Sequence, residues 1–489
     1  MIVVLIGTHL FLTVRLRLIQ RHTFRGIKYS VSAEPGVVID RKEHISPFAA
    51  LTTALAATIG TGNIVGVATA VAMGGAGAVF WCWITGVLGI ATKFAEGYLA
   101  VKYRESDGNG GYRGGPMYVL KNGLGRKKAA VAFAALTVIA SFGIGCMTQV
   151  NSIVDIIGSE IGNLTGGASG NTTGASSPNV IIGLIISVLV FIIIIGGIKS
   201  ISRVCEKLVP LMAVFYVAGC VIILVLNAPF ILPAVSTIFR EAFTLKAASG
   251  GVLGGGIMLA VRYGIARGLF SNESGLGSAP IASATVKTNS PYRQGLVSMT
   301  GTFWDTVIIC AITGIVLVSS ILKNPGINLD PNTGELLQGG ALSHAVFAQI
   351  PAIGPTILTI GLSTFAFSTI LGWAYYGSSA MEYFVENTLV KGIGGLNSKR
   401  KSRKAVMFYR IAYTAAVMLG AVTTINVVFD FADFANAMMC LPNVMSLILL
   451  SPLLAREVKW SASETEAAEA EALAASPKKG FAEKWFSTE

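Results

Sequence analysis

Ala56-Ala57-Thr58-Ile59-Gly60-Thr61-Gly62-Asn63-Ile64-Val65-Gly66 and Gly264-Ile265-Ala266-Arg267-Gly268-Leu269-Phe270-Ser271-Asn272-Glu273-Ser274-Gly275-Leu276-Gly277 are helix-breaking stretches set inside otherwise apolar runs. Their setting is a membrane. Of 489 residues, 53% are hydrophobic and only 13% charged, and the mean hydropathy is +0.67, which leaves too little polar surface to cover a soluble core of this size. Residues 179–198 are almost wholly apolar and long enough to cross a hydrocarbon layer of roughly 30 Å. A soluble enzyme, a secreted disulfide scaffold and a disordered chain are excluded. In lipid an unpaired backbone N–H or C=O costs several kcal/mol, so a broken span must be buried in protein and can line a cavity.

The apolar runs predict an all-α polytopic membrane protein of about eleven spans, near 1–19, 48–72, 77–101, 129–158, 179–198, 207–227, 251–275, 294–321, 353–377, 405–425 and 430–455. The first begins at Met1 and is followed by Arg15, Arg17 and Arg21 with no small-residue cleavage site, unlike a signal peptide. Of the 37 Lys and Arg residues, 31 fall at alternate span ends, whereas the opposite loops hold Arg240, Lys246 and Lys323. The positive-inside rule then places the N-terminus outside and the C-terminus in the cytoplasm. The net charge of +12 is thus a matter of topology, with no sign of nucleic-acid binding. The six cysteines contain no CxxC pair, and the four histidines have no partner at ligand spacing, so resident metal chemistry is not expected. The loop 159–178, with Asn163 and Asn171 in glycosylation-type triplets, reads as an external flexible connection. The acidic tail 456–489 reads as a solvated cytoplasmic helix.

The placement of the two breaks is informative. They open two sets of five spans, 48–227 and 228–455, after an extra N-terminal helix and basic loop in 1–47, and they run through the membrane in opposite senses. That pattern is the signature of a 5+5 inverted repeat with a central site at the unwound segments. Half-helix N-termini there offer N–H groups to a carboxylate, and half-helix C-termini offer carbonyls to a cation. A zwitterion with Na+ suits such a site. Glycine spacing alone means only close helix packing, and Gly60, Gly62 and Gly66 lack the βαβ unit of a dinucleotide site. Asn272-Glu273-Ser274-Gly275 lacks the flanking Gly and the His of a hydrolase.

Further polar groups lie inside spans. Ser368 and Thr369 follow Phe365 by three and four residues, which sets two hydroxyls and a carbonyl on one helical turn. These are the hard oxygen donors a small cation prefers, although hydroxyls also bond their own backbone. Gln149 and Asn151 add amides that could serve an amino acid or join helices. Arg262, Arg267, Glu273 and Asp305 either pair within the protein or face a vestibule, and Lys93 with Glu96 reads as a structural ion pair.

With those residues in view, the chain resembles the alanine or glycine:cation symporters, the sodium:alanine symporter family. The resemblance is carried by GGAGAVFWCW (74–83, with Cys82 where Met is usual), AATIGTGNIVGVATA (56–70), ATKFAEGYLAVKYRE (91–105), GGPMYVL (114–120), SNESGLGSAPIA (271–282) and GWAYYG (372–377). It implies an importer of alanine, glycine or a similar small neutral amino acid, coupled to Na+ or H+, with the inverted-repeat fold of the neurotransmitter:sodium symporters. It also implies a multi-pass protein of a prokaryotic inner membrane. The substrate carboxylate would lie at Thr61, Gly62 and Asn63, with Gln149, Asn272 and Trp373 as further contacts and Trp373 limiting the volume. The Na+ site would take the carbonyls of Ala56 and Ile59 with Ser368 and Thr369. No organic cofactor, nucleic acid or obligate protein partner is implied, only amino acid, cation and lipid. The rivals are an H+-coupled carrier using Glu273 or Asp305, and an amino-acid sensor that signals through the tail. A channel lacks a ring-forming selectivity loop, and an enzyme lacks a nucleophile and its base.

Overall fold

The computed structural model describes residues 1–34, 36–37, 45–108, 110–165, 177–244, 256–331, 333–389, 396–423 and 425–475. It is mostly helical, with a two-stranded ribbon pairing Glu105–Ser106 with Tyr112–Arg113. The helices are α1 (Ile2–Arg15), α2 (Thr23–Val31), α3 (Pro47–Thr58), α4 (Val67–Gly74), α5 (Gly77–Lys102), α6 (Lys127–Phe142), α7 (Thr148–Thr165), α8 (Ser177–Ile195), α9 (Gly197–Leu226), α10 (Ala228–Glu241) and α11 (Ile257–Asn272). They continue with α12 (Pro291–Thr302), α13 (Ala311–Lys323), α14 (Gly339–Phe347), α15 (Gly354–Asn387), α16 (Leu396–Val422) and α17 (Ile425–Ala475).

Among the described residues eight helical segments are long and apolar enough to cross a membrane, and ten if two bent pairs each count as one. The eleven expected spans are compatible with this count, because the seventh is α11, 16 residues that end in the predicted break. One bent pair is α3 with Gly62–Gly74, turning by 51° at the first break. The other joins α1 to Ile19–Val31 at 72°, so the N-terminal span ends at Arg15 and the chain turns away from it. Exposed apolar side chains such as Ile181, Leu184, Ile192, Leu211 and Val225 cover the outside of α8 and α9, as lipid-facing helices require. Three helices lie where loops were expected, α2, α10 and α14. All are too short to span and carry no long apolar run. Of the loop 159–178, residues 166–176, including Asn171, lie outside the described residues. The helical tail reaches Ala475, and 476–489 lie outside them as well.

Local chemistry fixes where these helices start and deform. Ser46 accepts the Ala49 N–H at 3.0 Å with Pro47 behind it, and Ser290 accepts the Arg293 N–H at 3.2 Å with Pro291 behind it. Wide π-helical turns interrupt three spans, at Gly62–Gly66, Gly143–Met147 and Phe303–Cys310. Such turns expose backbone and concentrate at functional sites, and these three converge on the centre of the molecule.

Close backbone approach brings α15 to that centre. A Cβ on Gly372 would stand 2.7 Å from the Ala57 Cβ and 2.9 Å from its nitrogen, so only glycine lets α15 lie against α3. Gly372→Ala should cost about 1–3 kcal/mol through overpacking. The expected result is a melting temperature several degrees lower for the purified protein, and an unchanged value would contradict this packing.

Candidate functional site

The first break begins where α3 ends. Ile59 leaves helical geometry with ψ near 90°, and its N–H still reaches the Leu55 carbonyl at 2.7 Å. The next two N–H groups bond side chains instead. Gly60 N–H donates to Asn63 Oδ1 at 2.9 Å, and Thr61 N–H donates to Gln149 Oε1 at 3.2 Å. Gln149 is itself anchored, donating to the Ile144 carbonyl at 3.0 Å beside the π-turn of the fourth span. The Thr61 hydroxyl is buried and has no hydrogen-bond partner. A buried polar atom left this way is costly unless a ligand completes it.

The second break follows α11. Glu273, Gly275 and Gly277 all have left-handed φ, at 53°, 88° and 87°, and for the non-glycine Glu273 that conformation is strained. The segment is braced on every side. Asn272 Oδ1 accepts the Ser274 N–H, and Asn272 Nδ2 donates to Thr85 Oγ1 at 3.2 Å. Glu96 Oε1 accepts from Gly277 N–H at 3.0 Å and from Asn443 Nδ2 at 2.7 Å. Lys93 stands 3.9 Å from Glu96 Oε2, the expected ion pair in a looser form. The Glu273 carboxylate accepts from Ser278 Oγ at 2.6 Å and from the indole N–H of Trp373 at 2.8 Å.

The two breaks face each other, since a Cβ on Gly62 would lie 3.1 Å from Ser271 Cα. Between them sits Asp305, on the π-turn Phe303–Cys310. Its carboxylate accepts from Asn63 Nδ2 at 2.7 Å, Ser271 Oγ at 3.0 Å and Thr306 Oγ1 at 2.6 Å. Among the described residues no Lys or Arg stands within 4 Å of it. The expectation that Asp305 would pair or face a vestibule is resolved in a third way, as a buried carboxylate held by neutral donors. Thr306 is its neighbour in sequence, but Asn63 and Ser271 lie 242 and 34 residues away, so no local pattern marks those two. Asn151, by contrast, bonds the carbonyls of Gly420 and Thr423 and joins two helices.

Ser368 and Thr369 lie directly across from the end of α3. Thr369 Oγ1 is 3.0 Å from the Ala56 carbonyl, 3.4 Å from that of Ile59 and 3.1 Å from that of Phe365. Ser368 Oγ is 3.2 Å from the Ala56 carbonyl and 2.8 Å from the Phe365 carbonyl. Five neutral oxygens thus gather between the end of α3 and one turn of α15. A hard cation with ligands at about 2.3–2.6 Å, the range known for Ca2+, would hold neighbouring oxygens about 3.3–3.7 Å apart. The cage fits after a small expansion, and its lack of any carboxylate suits a monovalent ion.

Thr61, Asn63, Gln149, Asn272, Ser368, Thr369 and Trp373 are each no more than 2% exposed, so the site is closed to both faces. Trp373 stands one turn beyond Thr369 on α15, and a Cβ on Gly145 would collide with its ring, so that glycine makes its place. Towards the side bearing the basic loops, a cavity of about 370 Å³ begins at Tyr375 and Ser379 and is lined by Arg113, Glu382 and Glu386. Arg113 pairs with Glu386 at 3.0 Å and Glu382 at 3.2 Å. Burial lowers its pKa, but the neighbouring acidic groups outweigh that and hold it above the ordinary arginine value.

Trp373→Phe removes the indole donor and leaves Glu273 Oε1 short of a partner, at about 1.5–3 kcal/mol for a bond to a charged acceptor. Thermal unfolding of the purified variant should shift down by several degrees, and no shift would mean that this bond carries no load.

Comparison with known proteins identifies the family. Residues 1–474 match the model of the sodium:alanine symporter family. The chain is 43% identical over 465 residues to the sodium/alanine symporter AgcS of Methanococcus maripaludis, covering 94% of this chain and 93% of that one. It is 34% identical over 463 residues to the probable sodium/glutamine symporter GlnT of Bacillus subtilis, covering 94% and 87%. In fold it resembles the crystal structure of MhsT in complex with L-phenylalanine, with a TM-score of 0.55 at 16% identity, covering 86% of this chain and 99% of that one. A Na+-coupled sialic acid symporter aligns with a TM-score of 0.50 at 13% identity, covering 92% and 85%. The full-length family match and the extent of identity place this multi-pass membrane protein among transporters and not enzymes: it belongs to the sodium:alanine symporter family.

Proposed function

We propose that the protein imports a small neutral amino acid, alanine or glycine, together with Na+ by alternating access. The observation that carries this reading is the cage of five neutral oxygens between the first break and α15. Na+ bound there ties α3 to α15. The amino acid then lies between the breaks, its carboxylate near Thr61, Gly62 and Asn63 and its ammonium drawn to the field of Asp305. Thr61 Oγ1 supplies an open polar group, while Gln149, Asn272 and Trp373 shape and brace the walls. Coupling follows because cation and substrate favour the same closed state. Release is inward, through the cavity beneath Tyr375, if the basic loops face the cytoplasm of a prokaryotic cell with the N-terminus outside.

The test is uptake of labelled L-alanine into proteoliposomes under a Na+ gradient, with glycine and glutamine as competitors. Competition by glycine but not glutamine supports a small pocket, whereas equal competition contradicts it. H+ coupling is the second reading, favoured by the burial of Asp305 among neutral donors alone. It predicts uptake driven by a pH gradient without Na+.

A further inference from the structure

A cavity of about 750 Å³ opens between the end of the N-terminal helix and the stretch 452–459 of α17, on the side of the membrane that carries the basic loops. Arg15, Arg17 and Arg21 line it from one wall, Arg456 and Lys459 from the other, with Tyr292 between them. All five basic side chains are exposed, yet they converge on one concavity from segments more than 400 residues apart in sequence. Glu457, which lies between two of them in sequence, turns away to Lys102 at 2.8 Å and Tyr98. Among the described residues Arg15, Arg17, Arg456 and Lys459 have no carboxylate within ion-pair distance.

The corner that presents these groups is built and strained. Arg17 and Leu18 both adopt left-handed φ, at 52° and 57°, a conformation two consecutive non-glycine residues rarely share. Leu18 N–H to the Thr13 carbonyl at 2.9 Å and Gln20 Nε2 to Thr13 Oγ1 at 2.8 Å hold the turn. Beyond it the chain bends by 72°, which turns α2 away from the axis of α1. Val14, Leu18 and Phe24 are 70%, 62% and 76% exposed beside the cationic rim. Apolar side chains on one flank and convergent guanidinium groups on the other suit a molecule with hydrocarbon tails and an anionic phosphodiester. Arginine favours that group because its planar fork matches two phosphate oxygens, and basic pockets between spans at this depth are the setting for such headgroups.

We propose that this pocket seats the headgroup of an anionic glycerophospholipid, the phosphate held by Arg15, Arg17 and Arg456 and the acyl chains lying along Val14 and Leu18. It shares no residue with the cation cage and goes beyond the transport reading, so either can stand without the other.

The test is native mass spectrometry of the full-length protein extracted from bilayers of equal phosphatidylcholine and phosphatidylglycerol, counting retained lipids. Wild-type protein should retain phosphatidylglycerol in at least a fivefold excess. The Arg17→Gln, Arg456→Gln variant should lose most of that excess and Arg17→Lys, Arg456→Lys should keep a larger part of it. Lys127→Gln, Lys128→Gln, which alters exposed basic residues elsewhere, should leave it unchanged. No excess in the wild type, or an equal loss in the Lys127, Lys128 variant, would overturn the proposal. So would displacement of the lipid by 20 mM inorganic phosphate, which would mark a free-phosphate site. If the glutamine variant does not fold, a photoreactive phosphatidylglycerol on wild-type protein decides: crosslinks at 14–22 and 452–459 support the pocket, and crosslinks elsewhere refute it.

Discussion

Uptake by a Ser368→Ala, Thr369→Ala carrier will need Na+ at a concentration at least tenfold higher than wild type for half-maximal rate, while the amount of folded protein stays close to normal. Both hydroxyls face the carbonyls of Ala56 and Ile59 from across the helix interface. Their removal takes two of five oxygens from the cage. A hydrogen bond or dipole contact to a charged group contributes about 1.5–3 kcal/mol, and each 1.4 kcal/mol is a factor of ten in affinity. Two lost ligands, partly replaced by water, therefore weaken the ion by ten- to a hundredfold. Folding survives because the hydroxyls also bond Phe365, a carbonyl of their own helix, and that bond is a minor contribution. An unchanged Na+ dependence would remove these residues from the cation site.

Asp305→Asn should have the larger effect on rate, lowering uptake more than a hundredfold at saturating Na+. The substitution keeps the shape and removes the charge. At an effective dielectric of about 20, a unit negative charge about 5 Å from a bound cation or ammonium contributes on the order of 3 kcal/mol. The new amide also sets a donor where Asn63 Nδ2, Ser271 Oγ and Thr306 Oγ1 all require an acceptor. Flux measured on equal amounts of purified protein checks this. Uptake within threefold of wild type would make Asp305 a structural brace. A wild type driven by a pH gradient alone, with that drive lost in the variant, would assign the residue to proton coupling.

The membrane character, the two breaks and the facing pair of hydroxyls were legible in the sequence because each is local. Periodic apolarity reports spans, glycine runs report interruptions, and Ser368 with Thr369 declares itself by a spacing of three and four from Phe365. The bracing of the second break was not legible in the same way. Glu96, Asn443 and Gly277 meet from three distant segments, and nothing near Glu96 signals that its carboxylate secures an unwound backbone rather than serving Lys93 alone. Asn272 has the composition of a substrate contact, yet both its polar atoms are spent on Thr85 and on the turn at Ser274. Asp305 stood out as a charge inside a span, but its partners follow from the tertiary meeting of both breaks with a π-turn, which helical periodicity does not predict. The short helices α2, α10 and α14 were missed because none has the length or the continuous apolarity of a span.

Labelled L-alanine uptake into proteoliposomes of the wild-type protein, under an inward Na+ gradient and then an equal K+ gradient at matched pH, tests the central claim most directly. Accumulation with Na+ and none with K+ is the result expected from a cage of five neutral oxygens closing with the substrate. Equal accumulation under both gradients, or none until a pH gradient is imposed, would contradict Na+ coupling through that cage.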